Sequence, residues 1–274
     1  MQARIAVDGG EVDVDVAHPF DLALQLDFSG PQPRHFGAPR ASSRPFETPG
    51  FGFKGAVARG SSCNCEVITL IPHCNGTHTE AAGHLTRERL DAWRVTPLGF
   101  VPALLVSVTP VAADDESSEP QPQPGDLLIT RRALERAWPA VLPFTPRALV
   151  IRTLPNTADK RGRDYTGQNP PYLSQQAAEL LVARAIVHLV VDVPSIDRAH
   201  DAGRLTAHRI FFGLPRGSVQ LATATRAAAT ITELAFVPET LGDGAYLLQL
   251  QVPALGGDAV PSRPLLYALA GSRA

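Results

Sequence analysis

The chain has 274 residues, with 27 Asp and Glu against 25 Lys and Arg; a formal charge of -2 and the lack of any dense basic run argue against a nucleic-acid partner. No uninterrupted apolar run approaches about 18 residues, so no membrane span is expected, and the segment from Met1 to Ile5 lacks the apolar core of a secretory signal. Three clustered cysteines, Cys63, Cys65 and Cys74, read as reduced thiols in a cytoplasmic protein rather than as a disulfide framework. The length suits a single domain over 1–274, with an N-terminal hairpin at 1–17 as an add-on.

In chain order, Ile5-Ala6-Val7 and the alternating Val12-Asp13-Val14-Asp15-Val16 flank Asp8-Gly9-Gly10, the pattern of a hairpin. Phe20 to Leu26 alternates as a second strand. Residues 29–60 are rich in Gly, Pro and Arg without periodicity and read as a long irregular segment, a type that is often functional. The β-branched run Glu66 to Pro72 predicts a strand that delivers the chain into Pro72-His73-Cys74-Asn75-Gly76-Thr77-His78-Thr79-Glu80-Ala81-Ala82-Gly83-His84. Ala103–Val108 and Ala148–Thr153 read as buried strands, and 113–125, acidic and Pro-rich, as an exposed loop. Thr130 caps a predicted helix to Val141; Ser174 caps another to Ile186, with Ala177, Leu180, Leu181 and Ala185 at helical spacing. Val187–Val193 follows as a strand, so 148–193 predicts a βαβ unit and a partly parallel sheet. Thr230–Val237 and Ala245–Val252 complete an α/β protein in which strands outnumber helices.

The chemistry concentrates in residues 72–84, which hold three of the eight histidines, a cysteine and a carboxylate. His78 and Glu80, two apart, share a side on extended backbone, and Gly76 permits a bend that brings Cys74 towards His78. By the same alternation His73 faces away from Cys74. His84 lies across Ala82-Gly83, where small residues leave room around an ion. Imidazole, thiolate and carboxylate are donors that divalent metals favour. Thr77 bonds loop backbone rather than acting as a nucleophile, and Ser195 lacks a Gly-x-Ser-x-Gly context. Asp192 at a strand end is either a partner to a ligand histidine or a turn former, and Asp201 reads as exposed.

On these residues the chain resembles the cyclase-like metal hydrolase family, best known from bacterial kynurenine formamidases. The family signature His-x-Gly-Thr-His-x-Asp, with a further His four residues on, is matched at Gly76-Thr77-His78 and His84. Glu80 stands where Asp is usual, and the first signature His falls on Cys74. Asp192-Val193-Pro194-Ser195-Ile196-Asp197, His208 and the segment around Glu233 resemble further family elements, in family order. The resemblance implies an α/β swivelling β/β/α-type domain with a mixed, partly parallel sheet and few helices. It implies metal ligands at His78, Glu80, His208 and Glu233, with Cys74 as either a fifth ligand or a bystander, and His84 as the proton-transfer residue. It implies one or two divalent ions, zinc or manganese, a homodimer or larger assembly, and hydrolysis of a small-molecule amide, lactone or ester. A metal-dependent lyase or dehydratase, or a non-catalytic metal-binding descendant, is the alternative.

Overall fold

The apolar runs assemble into one nine-stranded sheet in the computed structural model, which describes residues 1–113 and 115–270. Its strands are β1 (Phe20–Asp21), β2 (His78–Ala81), β3 (Val101–Val108), β4 (Ala148–Thr153), β5 (His188–Val191), β6 (Thr230–Glu233), β7 (Gly244–Gln251), β8 (Ala259–Pro261) and β9 (Arg263–Ala268). The spatial order is β8-β2-β6-β5-β4-β3-β7-β9-β1. The central β3, β4, β5 and β6 run parallel, and the strands on both flanks pair antiparallel. This is the mixed sheet that the alternation of runs predicted.

The parallel order requires crossovers, and these carry α2 (Arg131–Ala137), α3 (Gln175–Ala183) and α4 (Thr206–Phe212); a single turn, α1 (Ala92–Val95), precedes them. Thr130 and Ser174 cap α2 and α3 as predicted, their hydroxyls accepting from Ala133 N and Ala177 N. All three crossover helices lie on one sheet face. There Leu134, Leu181 and Phe211 share a core with Leu104, Leu149, Leu189 and Ile231. The alternate residues, Leu105, Val150 and Val190, pack on the other face with Tyr246, Leu248 and Leu266, as period-two side chains must. The hairpin Gln2–Val7/Gly10–Asp15 forms its own sheet and sets Val12 and Val14 on Leu247, Leu265 and Tyr267.

Several bounds change: the helix capped by Thr130 ends at Ala137, the strand from Thr230 ends at Glu233, and residues 29–60 carry the strand Ser42–Pro45. The strand expected from Phe20 to Leu26 ends at Asp21, because the following backbone leaves the edge to cross-link inward: Leu22 O accepts from Phe236 N, and Leu24 N donates to Thr77 Oγ1. The run Glu66–Pro72 pairs with Ser42–Pro45 in a separate ribbon and stops at Thr69. The strand that enters the main sheet is instead His78–Ala81, inside the motif that the sequence placed in a loop or at a strand end.

His188 on β5 is buried, with Nδ1 2.9 Å from Thr230 Oγ1. Burial, and then the nearby Arg147 charge, push its pKa down to about 4. The unfolded chain therefore protonates this site near pH 6.5 while the fold does not until about pH 4, so stability falls as pH drops through that window. Chemical denaturation at pH 7 and pH 5 should show wild type losing roughly 2 kcal/mol more than His188→Gln over this interval. Equal losses in the two proteins would remove His188 as the cause.

Candidate metal centre

The register of β2 against β6 builds the floor of the site. His78 opposes Glu233, and Glu80 opposes Ile231; opposed residues of an antiparallel pair share a face, here the face covered by the helices. Thr79 and Thr232 turn to the other face and bond each other at 2.7 Å. Because β2 runs against the parallel strands, His78 lies beside the carboxyl end of β6. Loops beyond the carboxyl ends of parallel strands are where α/β sheets place ligands. The loop after β5 supplies Asp197, and α4 supplies His208 from above.

His208 is held by one carboxylate. Its Nδ1 donates to Asp197 Oδ2 at 2.6 Å, and Asp197 also accepts from the backbone N–H groups of Ala207 and His208. The N-cap of α4, Leu205, offers no side-chain acceptor, so Asp197 caps the helix from a distance while fixing the tautomer of its histidine. That turns Nε2 towards the carboxylates, 2.8 Å from Glu80 Oε1 and 3.6 Å from Glu233 Oε1, where a bound cation would take its lone pair. His78 is arranged the same way: Nδ1 lies 3.1 Å from Gly76 O and Nε2 3.5 Å from Glu233 Oε2. Glu233 Oε1 accepts from Ile196 N at 2.8 Å.

His78, Glu80, His208 and Glu233 are all buried. Among their atoms His78 Nε2, Glu80 Oε1 and His208 Nε2 have no hydrogen-bond partner. Two buried carboxylates with converging lone pairs are costly unless positive charge sits among them. The protein alone answers that field on its rings. Burial opposes a charged His208, but the Glu80 charge and the Asp197 hydrogen bond prevail and raise its pKa well above normal. Burial likewise opposes a charged Glu80, yet the charges of His208 and His84 hold it well below the usual carboxylate range. A divalent cation would neutralise Glu80 and Glu233 and satisfy the orphaned atoms, so the donor set fits one.

Above this floor the site opens through half-buried His73 and His84, whose ring centroids lie 4.1 Å apart. His73 Nδ1 lies 3.1 Å from Glu80 Oε2, and His73 Nε2 2.7 Å from Asp258 Oδ2. Burial acts against a charged His73, but hydrogen bonds to Asp258 and Glu80 push its pKa up to about 10. Among the described residues, three groups bring donor atoms close enough to hold an ion: His73, His78 and Glu80; Glu80, His208 and Glu233; and His73, His84 and Asp258.

A sequence profile of the Cyclase family, described as "Putative cyclase", matches residues 14–198, well over half of the chain. The chain belongs to the cyclase family. No curated protein sequence matches it significantly. Among solved structures, it is similar to a "predicted metal-dependent hydrolase" from Bacillus stearothermophilus at 16% identity and a TM-score of 0.58, covering 91% of this chain and 98% of that one. An isatin hydrolase bound to the product analogue thioisatinate gives 17% identity and a TM-score of 0.58 over 92% of each chain. Isatin hydrolase A from Labrenzia aggregata gives 16% and 0.55, over 92% of this chain and 93% of that one. At such identities these likenesses establish the cyclase-type fold, which the mixed sheet already displays.

The structure gathers His78, Glu80, His208, Glu233 and His84 at one place, as the sequence led us to expect. It replaces Cys74 by His73 among the gathered donors. Residues 71–75 turn instead of extending, with Cys74 N and Asn75 N both donating to Ile71 O at 2.9 Å. The turn rotates His73 inward; Cys74 joins none of the three donor groups, and burial raises its thiol pKa, which disfavours a thiolate. The signal was legible: Pro72 occupies the second position of this turn, where proline is favoured. Asp258, more than 170 positions downstream of the motif, carries no such signal and was missed.

Supporting residues also move. Thr77 Oγ1 donates to Leu234 O at 2.5 Å and accepts from Leu24 N at 2.8 Å, joining distant segments rather than its own loop. Gly83 makes room for backbone, not for an ion: a Cβ there would lie 2.6 Å from Leu90 O. Asp192 pairs with buried Lys160 at 2.8 Å and accepts from Thr153, away from any ligand histidine. Asp201, expected to be exposed, is buried and accepts from Gly203 N and Leu205 N, bracing the approach to α4.

Proposed function

We propose that this cyclase-family chain is a metal-dependent hydrolase that opens a small amide, cyclic amide or lactone. The observation that carries the reading is the convergence of His78 Nε2, Glu80 Oε1 and His208 Nε2, three buried atoms without hydrogen-bond partners, beside Glu233 and beneath His84. His73, His78, Glu80, His208 and Glu233 would hold one or two divalent ions, with Glu80 common to both donor groups. With His73 in place of Cys74 the donors are nitrogen and oxygen, so manganese suits the site as well as zinc. A bound cation acidifies water and polarises a carbonyl oxygen. The chain's own residues do the rest. Asp197 keeps His208 oriented, the buried floor excludes bulk solvent, and His84 accepts a proton from the attacking water and returns it to the leaving nitrogen or oxygen.

Isatin is the first substrate to test, because two similar structures are isatin hydrolases; a formanilide is the second, from the resemblance to formamidases. Protein stripped of metal and reloaded with zinc or manganese should open one of them and place solvent oxygen-18 in the product. Turnover without solvent oxygen in the product would favour a lyase. Absence of bound metal after metal-replete expression would defeat the reading. The ligand assignment makes a further prediction: His73→Ala should lower metal affinity at least about tenfold, as measured by competition with a chelator, while Cys74→Ser leaves it unchanged. The reverse pattern would restore the thiolate.

The assembly is proposed as a homodimer. Phe36, Phe46, Phe51 and Ile68 are exposed on the segment that precedes the metal motif, and such apolar groups suit a contact between copies. Light scattering of the purified protein reads the mass directly.

A further inference from the structure

Asp258 has no role in the reading above, yet its carboxylate touches both histidines at the mouth of the site. Asp258 Oδ2 lies 2.7 Å from His73 Nε2 and 3.3 Å from His84 Nδ1. Its position is built into the sheet. Asp258 O accepts from Ala81 N at 2.9 Å, directly before the pairing of β8 with β2, and the preceding Gly257 N donates to Asp91 Oδ1 at 3.0 Å.

An ionised carboxylate only accepts, so each ring nitrogen that faces it carries the proton. A neutral imidazole has one N–H. His73 Nδ1 lies 3.1 Å from the Glu80 carboxylate, and a cation bound beside Glu80 would displace the proton shared there and leave the lone pair of His73 on Nδ1, with Nε2–H kept on Asp258. The lone pair of His84 resides on Nε2, in a ring whose centroid is 5.8 Å from that of His208. We infer that Asp258 is a positioning residue that sets two tautomers at once: it frees His73 Nδ1 for the cation and His84 Nε2 for the proton transfer. The second half rests on the hydrolase reading; the tautomers themselves do not. In the hydrolytic step a water O–H bond breaks as its oxygen bonds the carbonyl carbon, and His84 Nε2 takes the proton. The bond from that carbon to the leaving nitrogen or oxygen breaks as Nε2 returns the proton to it. Asp258 remains a carboxylate throughout, and water is the only co-reactant.

The test uses zinc-loaded full-length protein, with histidine tautomers read from long-range proton–nitrogen correlations by NMR. Wild type should show His84 protonated at Nδ1 and His73 at Nε2. Asp258→Ala should lose the Nδ1–H form of His84, and at saturating zinc its kcat on whichever of isatin and the formanilide the wild type opens should fall roughly 10- to 100-fold, with KM changed less than kcat. Asp258→Glu should recover part of the tautomer preference and of kcat, which a purely structural defect would not do. Wild-type His84 protonated at Nε2, or tautomers and kcat both unchanged in Asp258→Ala, would overturn the inference. If the wild type hydrolyses nothing, the hydrolase reading fails, while the tautomer spectra still decide the role of Asp258.

Discussion

Glu80→Ala is expected to release the metal and to lower kcat/KM by at least about 10³-fold. Glu80 belongs to two of the three donor groups, so its loss disables both at once. Its charge is also what draws His208 towards positive charge, and it adds to the pull of Asp258 on His73; without it, Glu233 is the carboxylate left on the floor. Electrostatic help from a bound cation amounts to several kcal/mol, and each 1.36 kcal/mol is tenfold in rate, which sets the expected scale. Glu80→Gln separates charge from shape, because it keeps the size and removes the anion; it should behave like the alanine variant. Elemental analysis after gel filtration reads occupancy, and turnover of the substrate reads activity. Full metal occupancy in both Glu80→Ala and His78→Ala would sink the ligand assignment.

His84→Gln is the second large effect, and it should have the opposite signature. The kcat should fall about 10²- to 10⁴-fold, the range for losing a general acid–base group, while metal content stays at the wild-type level. The reason is position. His84 sits at the half-buried mouth with Nδ1 on Asp258, outside the group of Glu80, His208 and Glu233 and the group of His73, His78 and Glu80. Loss of metal in parallel with activity would make His84 a ligand instead. The pairing of the two variants is informative because Glu80→Ala moves both readouts and His84→Gln moves only one.

The elements that could be read from the chain are those governed by neighbours in sequence. The caps at Thr130 and Ser174, the βαβ unit over 148–193 and the N-terminal hairpin all depend on spacings of a few residues, and all are present. His78 and Glu80 share a face for the same reason. Family resemblance, not local pattern, nominated His208 and Glu233, and the register of β6 on β2 brings Glu233 opposite His78. His73 was misread because alternation holds only on extended backbone, and a turn at Pro72 breaks the phase. The short β1 was overextended because its alternation continues past the point where Leu24 bonds Thr77 instead of a neighbouring strand.

By itself, then, the sequence determined the mixed α/β class, the metal-binding character of residues 72–84 and the family, since donor chemistry and strand periodicity are properties of the local chain. Only the tertiary structure decided which donors meet. That choice depends on a turn that rotates His73 inward, on Asp197 aiming His208 from a loop eleven positions earlier, and on Asp258 arriving just before the edge strand β8. The turn is local and is marked by Pro72, but the other two are contacts whose free energy comes from groups outside the motif, and no spacing within 72–84 encodes them.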